Sequence, residues 1–277
     1  MKILVIGASS YTGSRIYYDL NKSFKTVGTY NSNKLSPLFI HLDLTDKKQI
    51  EEIIFDQKPD VIVHVANHAS SRPAEEDEKR YLSINLKATE HIVNVSNKIG
   101  SKVVFISSFA ALNPVDIYGQ SKLKSENVVK NTKAGYLILR PYVILGYSPN
   151  ITNDRPFNRV LKCLDDKILA KFDTSWNIYP TYVGHLSQII EQTIVKDLWN
   201  QTLPVLLNHK VTQYQFAKDV LSHFNILVEA IDKGYDIPDI KSDLTLLEKY
   251  DLKPKNYDEM IDEIVQSIKN EDNFVLK

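Results

Sequence analysis

Over its first 145 residues the chain alternates short β-branched apolar runs with longer amphipathic stretches. The runs are Lys2–Ile6, Thr26–Tyr30, Phe39–Leu42, Val61–Val65, Lys102–Ile106 and Leu137–Arg140, and the clearest helical stretches are Asp46–Asp56, Ala74–Ile99 and Asp116–Thr132. Strand–helix–strand units in one sheet close right-handed, so the pattern predicts a doubly wound parallel sheet with helices on both faces. Val61–Val65 and Val103–Ile106 are apolar on both faces, as buried parallel strands are.

After Gly146 the pattern loosens. Pro149 to Pro156 reads as a polar loop, followed by helical stretches at Phe157–Leu164, His185–Val195 and Gln213–Phe224, with a late strand at Leu203–Leu207. In the tail, Met260, Ile261, Ile264, Val265 and Ile268 recur at helical spacing within Tyr257–Lys269, a stripe read as packing rather than as an interaction face. The 277 residues suit one large α/β unit with a smaller lobe. Residues 1–150 form the larger unit, completed by 183–208, and 151–182 with 209–277 form the lobe.

Charge excludes some partners. With 34 basic and 34 acidic residues, nothing favours nucleic acid or an anionic membrane. The single cysteine, Cys163, forbids an internal disulfide and fits a reducing compartment. No apolar run approaches the ~20 residues of a membrane helix, and the first strand leaves no room for a leader, so a cytoplasmic location is expected. The sequons at Asn21, Asn94, Asn150 and Asn200 are then chance. The histidines are scattered; His64 and His68 straddle a strand end without a carboxylate cluster, so no metal site is expected.

Gly7-Ala8-Ser9-Ser10-Tyr11-Thr12-Gly13 follows the first strand and opens the first helix. At such a turn the backbone N–H groups of a helix N-terminus meet a pyrophosphate; Gly7 suits the sharp turn and Gly13 lets helix and strand approach closely. Ser10 stands where a middle glycine is expected. NAD-preferring folds end the second strand on an acid that binds the ribose 2′-hydroxyl. Here Gly28 to Lys34 contains none, and Asn31 with Lys34 could accept a 2′-phosphate, so NADP(H) is expected, with NAD(H) as the alternative. Asp43, after the third strand, is a candidate for the adenine amino group, while Thr45 or Asp46 looks like the cap of the next helix.

Tyr-x-x-x-Lys occurs four times, at Tyr18/Lys22, Tyr30/Lys34, Tyr118/Lys122 and Tyr214/Lys218. Only Tyr118 starts the helix after the fifth strand, beyond the C-terminal sheet edge where doubly wound folds bind ligands, and Ser107-Ser108 precede it at the strand end. Residues i and i+4 share a helix face, so the Lys122 ammonium is expected beside the Tyr118 phenol, lowering its pKa for proton exchange with a carbonyl or carbinol oxygen. Ser108 would hydrogen-bond the same oxygen, and Lys122 could also hold the nicotinamide ribose.

These residues resemble the extended short-chain dehydrogenase/reductase family, and within it the dTDP-4-dehydrorhamnose reductase group. Lys58–Asn67 is similar to that family's fourth strand with its cofactor-covering alanine, and Asn85 to its helix asparagine. Asp116-x-Tyr118-Gly119-x-Ser121-Lys122, Leu139-Arg140-Pro141, Tyr179–His185 and Ile237–Leu244 are similar too. The resemblance implies a Rossmann-type fold in which residues 1–150 bind NADP(H) and the lobe binds a nucleotide sugar, with a homodimer through the long helices by analogy. The cofactor-binding candidates are then Gly7, Ser9, Ser10, Tyr11, Thr12, Gly13, Asn31, Lys34, Asp43, Leu44, Val65, Ala66, Asn67, Asn85, Tyr118, Lys122 and Pro141. The catalytic candidates are Ser108, Tyr118 and Lys122. Two departures from the group bear on the sugar: the Ser108–Tyr118 loop is short, and Val143 stands where a tryptophan is usual.

The resemblance carries three functions. The first is NADPH-dependent reduction of a nucleotide-linked 4-keto-6-deoxy sugar. The second is a redox-neutral epimerase or dehydratase; dehydratases resembling this family place Asp-Glu after the catalytic hydroxyl residue, whereas Phe109 and Ala110 follow Ser108. The third is a non-catalytic cofactor-binding partner, like the regulatory subunit of methionine adenosyltransferase.

Overall fold

A computed structural model describes residues 1–67, 78–165, 168–236, 239–240, 242–271, 274 and 276. His68, residues 74–77 of the expected Ala74–Ile99 helix, and residues 237, 238 and 241 of the Ile237–Leu244 segment lie outside them.

The main unit alternates strand and helix in chain order. It runs β1 (Lys2–Ile6), α1 (Tyr11–Leu20), β2 (Lys25–Tyr30), β3 (Ile40–His41), α2 (Lys47–Gln57) and β4 (Val61–His64). Then come α3 (Glu78–Leu82), a π-helical turn (Ser83–Lys87), α4 (Ala88–Ile99), β5 (Lys102–Ile106), α5 (Ile117–Val129) and β6 (Tyr136–Pro141). The remainder comprises β7 (Val143–Leu145), α6 (Pro156–Lys162), β8 (Lys171–Asp173), β9 (Asn177–Ile178), β10 (Pro180–Tyr182), α7 (Val183–Lys196) and β11 (Gln201–Val205). It ends with β12 (Val211–Thr212), α8 (Gln213–Leu221), β13 (Glu229–Ile231), α9 (Thr245–Lys249) and α10 (Tyr257–Lys269).

Seven strands form one parallel sheet in the order β11-β6-β5-β4-β1-β2-β3. The order reverses between β1 and β4, which opens a crevice at their C-terminal ends. Alternation along β1 explains the two layers: Ile3 and Val5 face one side, Leu4 and Ile6 the other. On the first side Ile16 and Leu20 of α1 meet Leu186, Ile189 and Ile190 of α7, all fully buried. On the second, Ile50 and Ile54 of α2 pack with Ala88, Ile92 and Val95 of α4. Each such buried aliphatic side chain contributes about 1.5–3 kcal/mol. The late strand extends the main sheet, pairing in parallel with β6 from Gln201 opposite Leu137 to Val205 opposite Pro141.

The segments without clear periodicity form three two-stranded pairs, β10-β7, β12-β9 and β13-β8. Around them Phe157, Val160, Phe172, Phe216 and Val220 pack with the α10 stripe of Met260, Ile261, Ile264, Val265 and Ile268, which is buried throughout. Cys163 is buried in the same cluster. No described helix is long and apolar enough to cross a membrane.

Candidate active site

The turn after β1 is fixed by its glycines and by Ser10. Gly7 has φ +88°, and a Cβ there would lie 2.7 Å from the Ala66 Cβ; a Cβ on Gly13 would meet the Gly7 carbonyl oxygen at 2.1 Å. Neither position admits a side chain. Ser10, the departure from the glycine pattern, caps α1: its hydroxyl accepts from the Gly13 N–H at 3.0 Å. The Tyr11 hydroxyl donates to the Gly146 carbonyl at 2.5 Å, and Asn150 donates from its side-chain amide to the Ser9 carbonyl at 2.7 Å. The turn is thereby tied to the loop that leaves β7. Asn150 is 1% exposed, which closes that sequon to modification.

A cleft of about 490 Å³ runs from this turn along the C-terminal sheet edge. Gly7, Ser9, Ser10, Tyr11, Thr12, Asn31, Asp43, Leu44, Val65, Ala66, Asn67, Ser108, Tyr118 and Pro141 line it. Gly13, Lys34, Asn85 and Lys122 do not. Gly13 sits beneath the turn. Lys34 is exposed and places its ammonium 5.6 Å from the Tyr30 ring centroid, where the charge stays hydrated; Asn31, Ser32 and Asn33 form that part of the wall instead. Asn85 is buried in the π-helical turn, its carbonyl accepting from the Thr89 and Ser125 hydroxyls, and neighbouring Ile84 reaches the cleft. One Asp43 carboxylate oxygen accepts from the N–H and hydroxyl of Thr45, both at 2.8 Å, while Asp46 caps α2.

Helix α5 begins where the Asp116 carboxylate caps it, accepting from the Gly119 N–H at 2.8 Å. Tyr118, Lys122 and Glu126 follow at i, i+4 and i+8 on one face. The cation whose charge acts on the Tyr118 phenol is Arg155. The Lys122 ammonium donates to the Ile106 carbonyl at 2.8 Å and lies 4.6 Å from the Phe105 ring centroid, buried against β5. Burial pulls its pKa down to about 7, with Glu126 opposing. The Tyr118 pKa is raised, not lowered: burial dominates, while a hydrogen bond with the Ser108 hydroxyl and the charge of Arg155 offset part of it. One of the three ammonium donors is thus committed to the end of β5.

Below Lys122, the fully buried Glu126 carboxylate accepts from Arg140 at 2.9 and 2.6 Å and from the Ser107 hydroxyl at 2.6 Å. This pair anchors α5 to β5 and β6. His64 hydrogen-bonds Thr89 at 3.1 Å, and burial pulls its pKa down to about 3, so it is a neutral core residue. Among the described residues no group of three His, Cys, Asp or Glu side chains could hold a metal ion.

Sequence reasoning missed the far wall. Tyr142, Asn153, Arg155 and Trp176 line the cleft with Tyr118. Phe109, Tyr142 and Tyr179 form a chain of edge-to-face rings, with centroids 5.7 and 6.1 Å apart. Trp176, from the β8–β9 turn, brings an indole to the cleft where Val143 alone was expected. A second cavity of about 550 Å³ lies away from the sheet edge, between β10, α7 and α10, and contains none of these groups.

A parallel sheet with its switch point beside a glycine turn, and a serine–tyrosine pair at its C-terminal edge, defines an α/β protein of the Rossmann type. Residues 1–236 match the model of the RmlD substrate binding domain, and the chain belongs to that family. The methionine adenosyltransferase 2 subunit beta of Xenopus tropicalis is 24% identical over 249 residues, covering 81% of this chain and 72% of its own. The dTDP-4-dehydrorhamnose reductase of Aggregatibacter actinomycetemcomitans is 22% identical over 236 residues, covering 78% and 76%. The crystal structure of the dTDP-4-dehydrorhamnose reductase of Bacillus anthracis in complex with NADP superposes with a TM-score of 0.76 at 20% identity, over 97% of this chain and 98% of that one.

Proposed function

We propose that the protein is an NADPH-dependent reductase of a nucleotide-linked 4-keto-6-deoxy sugar, similar in activity to the dTDP-4-dehydrorhamnose reductases among its relatives. One observation carries the reading: the Gly7–Gly13 turn and the Ser108–Tyr118 hydroxyl pair open into a single cleft. The residues fit a dinucleotide, because Gly7 and Ser9 to Thr12, at the N-terminus of α1, line the cleft where backbone N–H groups can meet a pyrophosphate. Bound NADPH would supply a hydride to C4 of the sugar. Tyr118 holds its proton at neutral pH because burial raises its pKa, and gives that proton to the C4 oxygen. Ser108 donates a hydrogen bond to the same oxygen as its charge develops. Lys122 supports the site from beneath, holding the last carbonyl of β5 against α5. Residues 1–150 with 183–208 would bind the cofactor, and 151–182 with 209–277 the sugar nucleotide.

The test is the loss of NADPH absorbance with dTDP- or UDP-linked 4-keto-6-deoxyhexoses, followed by identification of the product sugar. Oxidation with a nucleotide-linked sugar and little with the free sugar is expected. A second reading, a non-catalytic cofactor-binding subunit, is supported by the likeness to methionine adenosyltransferase 2 subunit beta. NADPH binding without oxidation of any of these sugars selects it.

A further inference from the structure

Arg155 lies at the junction of the two parts of the molecule and is not accounted for by the hydroxyl pair or the glycine turn. It stands at the start of α6, in the loop that leaves β7, and its side chain lines the cleft. That loop is firmly held. The Asn150 side-chain oxygen accepts from the N–H groups of Thr152 and Asn153, and the Asn158 side-chain amide donates to the Asn150 and Asn153 carbonyls at 3.1 and 2.9 Å.

No carboxylate pairs with Arg155 among the described residues. The adjacent Asp154 is taken by Arg159, in a two-point contact at 2.7 and 2.8 Å. Arg155 is also the only cationic side chain among the described residues of the cleft wall, and Asp43 is the only anionic one. Its charge acts on the Tyr118 and Tyr11 phenols and on the Asp154 carboxylate, and Tyr118 and Tyr11 line the same cleft. The turn itself has no cation: Ser9, Ser10, Tyr11 and Thr12 are neutral, and the Ser10 hydroxyl is engaged at the helix cap.

A half-buried guanidinium facing a cleft is stabilised when a ligand brings it an anion, and its planar fork suits the oxygens of a phosphoryl group. We propose that Arg155 is the phosphate-binding side chain of this cleft, closing over a diphosphate from the side opposite the glycine turn. The diphosphate belongs either to the dinucleotide or to a nucleotide-linked substrate. The dinucleotide arm rests on the cofactor reading above; the substrate arm does not depend on it.

The experiment compares the full-length protein with Arg155→Lys and Arg155→Gln, after checking that their thermal midpoints match. NADPH binding is titrated by fluorescence and dTDP binding by calorimetry, each at low and high salt. Loss of a charged hydrogen bond predicts a dissociation constant raised about tenfold or more in Arg155→Gln, partly restored in Arg155→Lys, with a flatter salt dependence than wild type. A loss for NADPH alone identifies the dinucleotide as the source of the anion, and a loss for dTDP alone identifies the substrate. Unchanged constants for both ligands, or binding of neither by the wild type, overturn the proposal. A wild type that binds dTDP but not NADPH defeats the cofactor reading while leaving the arginine testable. Should Arg155→Gln fail to fold, Arg155→Lys decides alone: affinities and salt dependence equal to wild type overturn the site, because a point charge cannot reproduce a two-point contact.

Discussion

The Lys122 ammonium donates to the Ile106 carbonyl at 2.8 Å, so the lysine of the Tyr-x-x-x-Lys pair ties helix α5 to strand β5. Its pKa, pulled down to about 7 by burial, makes this a measurable element of stability. The unfolded chain keeps that proton up to about pH 10.4. Between those values the unfolded state binds more protons, so stability rises with pH. The penalty for burying the charge is fully present below about 7 and disappears above the unfolded value. Denaturant midpoints from pH 6 to 9 should climb more steeply for wild type than for Lys122→Met, and parallel curves would contradict this.

Tyr118→Phe removes the transferable proton and leaves the cleft wall intact. Turnover with the sugar substrate should fall by about two orders of magnitude or more, the usual scale for a general acid. NADPH affinity should change little. Single-turnover kinetics with a parallel binding titration check both, and near-normal turnover would remove Tyr118 from the chemistry.

Arg140→Ala would strand the Glu126 carboxylate, which is fully buried and held at 2.9 and 2.6 Å by that guanidinium. Breaking one side of a buried pair costs about 3–5 kcal/mol. The double change Glu126→Leu with Arg140→Met should be milder, since no buried carboxylate is left without its guanidinium, although the charge of Glu126 on Lys122 is lost. Equilibrium unfolding of the three proteins measures the difference; an Arg140→Ala loss under about 1 kcal/mol would mean that water reaches the carboxylate.

Lys34 faces solvent over Tyr30, whereas Asn31 lines the cleft. Lys34→Ala should therefore leave the ratio of NADPH to NADH affinity nearly unchanged. Asn31→Asp places a carboxylate where a 2′-phosphate would sit and should shift preference toward NADH. Paired fluorescence titrations decide it, and a tenfold NADPH loss in Lys34→Ala would return that lysine to the site.

What the sequence determined by itself was the frame. Strands β1 and β5 and helix α10 fall on the expected residues, because central parallel strands are buried on both faces and read as short continuous apolar runs, while one-sided burial imposes a period near 3.6 on α10. Context alone chose Tyr118 from four equivalent spacings and put it in the cleft with the glycine turn. Tertiary structure decided the rest. Strands β8, β9, β10, β12 and β13 span two or three residues each, too short to show a period, and exist through their distant partners. Spacing put Lys122 on the face of Tyr118, but packing against β5 chose which acceptor its ammonium took. Arg155 and Trp176 reach the wall from separate loops, and nothing near either in sequence marks it. Local pattern records which face of a segment is buried; the meeting of side chains from separate segments depends on how the finished layers pack.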